Sequence, residues 1–176
     1  MKRLELSYRR SYDSFIPSAV TGMQDWLGHL QALEHLSLST PWHKQASLAV
    51  NFRDVVAGLR CMSLTSLQIK QSSSYRGDMQ WLLSLCRQTL RRAYFARVTM
   101  FHDAGSAWQP VLEMLTKCPQ LRVVELSDLR QESTDAYGKK VLLRLKWSGG
   151  TDEWRIRENT QGVLKELADY AALVPV

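Results

Sequence analysis

Nine polar side chains alternate with leucines or other apolar residues in five short stretches of this chain. They are Arg3, Glu5, His35, Ser37, Gln68, Lys70, Arg92, Tyr94 and Glu125. Together they offer charges of both signs, hydroxyl and amide hydrogen-bonding groups and one aromatic ring. Alternate residues of a β-strand point to opposite faces, so these side chains would share the sheet face that the core does not use. Their chemistry is that of binding, through ion pairs and hydrogen bonds.

No pattern in the sequence indicates catalysis. The chain contains no G-x-S-x-G, no glycine-rich phosphate loop, no C-x-x-C and no H-E-x-x-H. Metal-ligand spacing is also missing among the four histidines, His29, His35, His43 and His102. We therefore expect a protein that is not an enzyme and needs no metal or cofactor. Serines and histidines are numerous enough to leave open a triad assembled by folding.

The cysteines indicate a reducing compartment. Cys61, Cys86 and Cys118 each precede the first leucine of a strand-like stretch by three or four residues. An odd number cannot pair completely, and one recurring position is typical of a small buried side chain. The N-terminus lacks the apolar segment of a signal peptide, and no apolar run is long enough to span a membrane. These features predict an intracellular protein, cytoplasmic or nuclear.

Two patterns repeat along the chain and would position the nine side chains. The first is L-x-x-L-x-L, at intervals of 26 to 32 residues, opened by Met1, Leu33, Leu64, Leu90 and Leu121. The second is an apolar i, i+3, i+4, i+7 spacing, typical of one helix face, as at Trp108, Val111, Leu112 and Leu115. Ser106, with Gln109 three residues later, would cap this helix. Strands and helices that alternate at constant phase predict an α/β fold made of internal repeats.

The pattern changes after Ser127. Residues 141–147 alternate like a strand, 148–152 resemble a hairpin turn, and 154–157 would form the second strand of that hairpin. A last helix would present Val163, Leu164, Leu167 and Ala168. An atypical last unit can cover the open end of a repeat core. We therefore divide a single domain into a repeat region, 1–129, and a C-terminal capping unit, 130–176.

Residues 108–129 have the pattern W-x-x-V-L-x-x-L-x-x-C-P-x-L-x-x-V-x-L-S-x-L, and residues 141–157 are VLLRLKWSGGTDEWRIR. Both resemble intracellular, fungal F-box/leucine-rich-repeat-like proteins. The resemblance implies a right-handed leucine-rich-repeat solenoid of about four to five irregular repeats, with parallel strands on the concave side and helices on the convex side. It also implies the substrate-binding region of an F-box-type ubiquitin-ligase receptor. Because no F-box is visible, the cullin-ligase adaptor would bind a segment upstream of Met1.

Two features depart from that family's pattern. Its Asn or Cys, three residues after the third leucine, is replaced by Arg9, Pro41, Ser72, Val98 and Leu129. The turns must therefore satisfy their backbone in another way, and the coil should be irregular. Met1 also opens directly into a strand, which would leave an uncovered sheet edge. We expect either that further residues precede Met1 or that this edge pairs with another chain.

The sequence thus favours protein recognition, with the nine side chains as partner-binding residues on the concave face. A structural or oligomeric scaffold that pairs through the N-terminal edge is the second interpretation. Nucleic-acid binding is the least favoured. Two features support it: the net charge is +6, and residues 91–97 combine basic and aromatic side chains. However, Phe95 fits an inward-facing strand position.

Overall fold

The computed structural model describes residues 2–7, 25–39, 57, 59, 63–101, 106–134, 140–146, 153–156, 162, 164 and 172–175. Outside these residues lie Cys61, His43, His102, the turn positions Arg9 and Pro41, and the predicted turn at 148–152. Of the last predicted helix, residues 162 and 164 are described, and both are helical.

The described elements are eleven strands and two helices, and each helix follows a pair of consecutive strands. The strands are β1 (Arg3–Ser7), β2 (His35–Ser39), β3 (Ser66–Lys70), β4 (Ser73–Tyr75), β5 (Arg92–Ala96), β6 (Thr99–Phe101), β7 (Val123–Ser127), β8 (Arg130–Thr134), β9 (Lys140–Lys146), β10 (Glu153–Ile156) and β11 (Ala172–Pro175). The helices are α1 (Arg76–Cys86) and α2 (Trp108–Thr116), and residues 25–28 are also helical.

Within the described residues, the first sheet has six strands in the order β1-β2-β3-β5-β7-β10. Its first five strands are parallel and pair equivalent residues, so that Leu36 lies beside Leu67 and Leu38 beside Ile69. In β2, β3 and β7 buried and half-buried residues alternate, because one face of the sheet packs on the core. The predicted L-x-x-L-x-L stretches therefore form these strands in the expected register.

After each of three strands, the chain leaves the first sheet through a bend with an unusual backbone conformation. Gln71, Arg97 and Asp128 directly follow β3, β5 and β7, and their φ angles are +48°, +55° and +48°. Residues with a Cβ rarely adopt this left-handed region. Hydrogen bonds between successive bends hold it here: Gln71 N–H donates to the Ala96 carbonyl and Arg97 N–H to the Ser127 carbonyl, each at 2.9 Å. The bends therefore stabilise one another.

A buried residue follows each bend, at the position where the consensus Asn or Cys was expected. Ser72, Val98 and Leu129 occupy it and are almost fully buried. Thr99 N–H donates to the Ser72 carbonyl and Arg130 N–H to the Val98 carbonyl, both at 2.8 Å. The backbone of the next unit thus supplies the hydrogen bonds that an Asn or Cys side chain was expected to make.

After the bends, the chain enters a second sheet, of five strands in the order β11-β9-β8-β6-β4. β4, β6 and β8 are parallel to one another, whereas β9 is antiparallel to both β8 and β11. The α/β prediction holds, but the predicted right-handed solenoid with a single concave layer of parallel strands is wrong. The described residues form two mixed sheets without solenoid curl. β4 and β6 have only three residues each, too few to show a period in the sequence.

The predicted C-terminal hairpin is also wrong. β9 lies in the second sheet, whereas β10 pairs antiparallel with β7 at the end of the first sheet. There Trp154 lies beside Leu126 and Ile156 beside Val124. Both apolar residues of β10 extend the core face of the first sheet, and Ile156 is 4% exposed. Burial at this distant edge outweighs the local preference for a hairpin.

The helices contribute the other side of the core. As predicted, the buried face of α2 consists of Trp108, Val111, Leu112 and Leu115. The Trp108 ring packs against Phe95 of the first sheet, with ring centres 6.5 Å apart, and its Nε1 donates to the Arg130 carbonyl of the second sheet at 2.8 Å. Half of the predicted cap forms, since Gln109 N–H donates to Ser106 Oγ at 3.2 Å.

Within the described residues, no helix is long and apolar enough to cross a bilayer.

Candidate recognition groove

The first sheet presents an open groove on the face opposite the core. Its volume is about 580 Å³. Its polar and charged lining consists of Arg3, His35, Ser37, Ser66, Gln68, Lys70, Arg92, Tyr94 and Glu125. Eight of the nine predicted binding residues therefore line one groove. The ninth, Glu5, lies on the same face of β1 and is exposed, but it does not line the groove.

Parallel register arranges these side chains in rows across the strands. The first row runs Arg3, His35, Ser66, Arg92 and Val123. Arg3 and Arg92 are exposed, whereas the other members are half-buried. Neighbouring strands lie about 4.8 Å apart, so the two guanidinium-bearing residues are separated by three strand intervals, about 14 Å. This row is cationic at two defined points.

The second row forms the polar centre of the groove. The Ser37 hydroxyl donates to Gln68 Oε1 at 3.0 Å, from β2 to β3. The bond orients the Gln68 amide, whose nitrogen is a donor of two further hydrogen bonds. Hydroxyl and amide groups of this kind can pair with the backbone of a bound chain.

Lys70 and Tyr94 form a cation–π contact on one side of this centre. Lys70 Nζ lies 5.2 Å from the centre of the Tyr94 ring, from β3 to β5. An ammonium within about 6 Å of a ring centre is attracted by the electrons of the ring face. The contact fixes a third cation within the groove and covers one face of the Tyr94 ring.

β10 contributes residues that the sequence did not predict. Arg155 Nη2 lies 2.6 Å from Glu125 Oε1. Arg155, Glu153 and Trp154 also line a second hollow of about 330 Å³, which shares Tyr94 and Glu125 with the groove. The hairpin prediction placed Arg155 beside β9, so only the long-range pairing of β10 with β7 brings it here.

The charges of the lining do not cancel. Among the described lining residues, Arg3, Lys70 and Arg92 are cationic, and Glu125 is the single acidic residue. Its carboxylate is already paired with Arg155. Glu5 adds a negative charge at the β1 edge, outside the lining. The groove is therefore complementary to negative charge.

A second charged cluster lies at the bend between β7 and β8. Arg130 donates to both carboxylate oxygens of Asp128, at 2.9 and 2.5 Å, and Arg144 Nε lies 3.1 Å from Asp128 Oδ1. Burial alone would raise the pKa of this carboxyl. The Arg130 hydrogen bonds and the charges of Arg130, Arg144 and Arg97 outweigh burial and lower that pKa. We assign the cluster to the bend, because Arg144 of β9 and Arg130 of β8 meet there.

In the described part of the chain, no three His, Cys, Asp or Glu side chains lie close enough together to hold a metal ion.

Comparison of the chain with protein families, with curated proteins and with solved structures gives no match. A functional proposal therefore rests on the geometry and charge of the groove.

Proposed function

We propose that this protein is a non-enzymatic recognition module that binds a protein partner in the groove of the first sheet. The single observation that supports this most is the convergence of nine described polar side chains, from five separate strands, in one open groove. The core holds these strands from behind, since the residues that alternate with the lining are buried. The binding groups are therefore positioned before a partner arrives, which lowers the entropic cost of binding.

The size of the sheet favours a peptide segment as the bound part of the partner. Six strands, most of them five residues long, give a face of about 24 by 16 Å, or about 400 Å². An extended segment of about seven residues has the length of 24 Å that crosses this face, and its width fits within 16 Å.

A pair of serine substitutions tests this function. Ser37→Trp places a large uncharged ring in the middle of the groove, whereas Ser84→Trp makes the same change on the exposed side of α1, whose other side enters the core. Proteins captured from a lysate should be lost with Ser37→Trp and kept with Ser84→Trp. Circular dichroism melts of both variants establish that each is folded. Equal capture by the two folded variants would place the binding surface outside the groove.

A scaffold that pairs through β1 is the second candidate, because β1 is the end strand of the first sheet in the described residues. Sedimentation equilibrium tests it: this function requires a concentration-dependent mass near twice 20.2 kDa. The ubiquitin-ligase role stays a prediction from the sequence resemblance, since neither the groove nor the comparisons provide support for it.

A further inference from the structure

Three cations surround the polar centre of the groove. Arg3 and Arg92 lie in the first row, about 14 Å apart across the strands. Lys70 lies on β3, four residues beyond Ser66 of that row, which is a distance of about 13 Å along the strand. His35 and Ser66 lie between Arg3 and Arg92 in the first row, and the hydrogen-bonded pair of Ser37 and Gln68 lies between that row and Lys70, about 7 Å along the strands from the row. A ligand that crosses the strands would meet two cations at its ends and hydrogen-bonding groups in its middle.

An extended peptide has a repeat that fits this spacing. Its residues rise about 3.3 Å each, and its alternate side chains share one face. Residues i and i+4 therefore lie on the same face, about 13 Å apart, close to the separation of Arg3 and Arg92. Carboxylates at these two positions would reach both guanidinium groups, which bind carboxylates through paired hydrogen bonds.

From this match we propose that the groove binds an extended peptide segment with acidic side chains at positions i and i+4. The segment runs across the strands, with one carboxylate at Arg3 and the other at Arg92. Its intervening backbone lies over His35 and Ser66 of the first row, beside Ser37 and Gln68 of the second row. Lys70 adds attraction for a further negative charge. This inference rests on the proposed recognition function and specifies the chemistry of the partner.

Single-stranded nucleic acid fits the groove less well, although it also carries negative charge. Proteins that bind it without sequence preference stack successive bases on several aromatic side chains. Among the described residues, the groove lining contains one aromatic ring, Tyr94, and Lys70 already covers a face of it. The first row also offers two separated cations instead of a continuous basic track.

Peptide selection on the intact protein tests the proposal. Random peptides of about nine residues, long enough to span the face, are displayed and selected on the wild-type chain. Peptides that also bind Ser37→Trp are removed, which leaves those that need the groove. We expect Asp or Glu at i and i+4 among the remaining peptides, and about tenfold weaker binding to Arg92→Glu, measured by fluorescence anisotropy. Changing the matching peptide carboxylate to lysine should restore binding to that variant.

The adjacent arginine is the matched control. Arg91 is exposed, precedes β5 and does not line the groove. Arg91→Glu changes the net charge by the same amount as Arg92→Glu, and it should leave the affinity within about twofold. Equal losses with both variants would mean that only overall charge matters and would overturn the proposal.

Other results also overturn it, and they separate it from the proposed function. Groove-dependent peptides without acidic residues would exclude the acidic segment while the recognition function stands. A selection that yields no groove-dependent peptide would also exclude the acidic segment. The recognition function would still stand if lysate capture depends on Ser37. Preferential binding of a single-stranded RNA over every selected peptide would assign the groove to nucleic acid. Lysate capture that does not respond to Ser37→Trp would remove the recognition function itself.

Discussion

At the scale of single residues, neighbouring positions of one strand have opposite environments. Val124 is completely buried, whereas Val123 is half-buried and lies in the first row beside Arg92. Val124→Asp would bury an unpaired carboxylate, at a cost of several kcal/mol, out of a total stability of about 5–15 kcal/mol. We expect this variant to be largely unfolded in circular dichroism.

The matched variant is Val123→Asp. It places the same carboxylate in the groove next to a cation, so the free energy of unfolding should change by less than about 1 kcal/mol. Urea denaturation of both variants measures the contrast. Similar stability of the two variants would mean that the two faces of β7 have been assigned wrongly.

Burial also controls the chemistry of two thiols. It raises the pKa of Cys86 from 9.0 to about 12 and that of Cys118 to about 11. Since the thiolate is the reactive form, both should react slowly with iodoacetamide at neutral pH in the folded protein and rapidly in urea. Peptide mass spectrometry should find Cys118 modified before Cys86. Rapid modification of both in the native protein would contradict their buried positions.

At the scale of elements, the bend between β7 and β8 depends on one carboxylate. The pKa of Asp128 is lowered from 3.8, so its ionised form stabilises the fold above that pH, and this contribution is lost as the pH falls through the folded-state pKa. Asp128→Asn keeps a residue that tolerates positive φ but removes the charge between Arg130 and Arg144. We expect a loss of about 1–3 kcal/mol at pH 7 and a weaker dependence of stability on acid, measured by urea denaturation across pH.

Gln71 provides the control for backbone strain, because it has the same φ of +48° at the bend between β3 and β4. Gln71→Gly relieves the left-handed conformation but adds freedom to the unfolded chain, so stability should stay within about 1 kcal/mol of wild type. A loss with Gln71→Gly as large as that with Asp128→Asn would mean that the conformation of the bend, and not the carboxylate, determines its stability.

Among the elements, length and period decide what could be predicted. The buried face of α2 was predictable to the residue, because four apolar side chains mark one face of a single helix. The first-sheet strands were predictable from alternating leucines. β4 and β6 were not, since each has three residues and its place depends on the bends at Gln71 and Arg97. The solenoid prediction was wrong because it did not include these two short strands and the second sheet that they help to form.

At the scale of the whole molecule, the groove combines residues from positions 3 to 125 through strand register. The face on which each groove residue lies was predictable, because it alternates with a buried apolar residue in the same strand. Arg155 was not predictable. The Gly-Gly sequence at 149–150 favours a local hairpin, and only the need to cover the core at Leu126 and Val124 directs β10 to the first sheet.

The long-range placement of β10 has a consequence for binding. Arg155 forms an ion pair with Glu125, the single acid among the described residues of the groove lining, although Arg155 does not line the groove itself. Arg155→Ala should therefore weaken binding of an acidic peptide by about twofold to fivefold, the range for an exposed ion pair. In a Glu125→Gln background the same change should have a smaller effect, because it removes only the attraction of Arg155 itself and no longer releases a carboxylate that competes for the groove cations. Fluorescence anisotropy of the four proteins measures this cycle. An undiminished effect of Arg155→Ala without Glu125 would mean that Arg155 contacts the peptide directly.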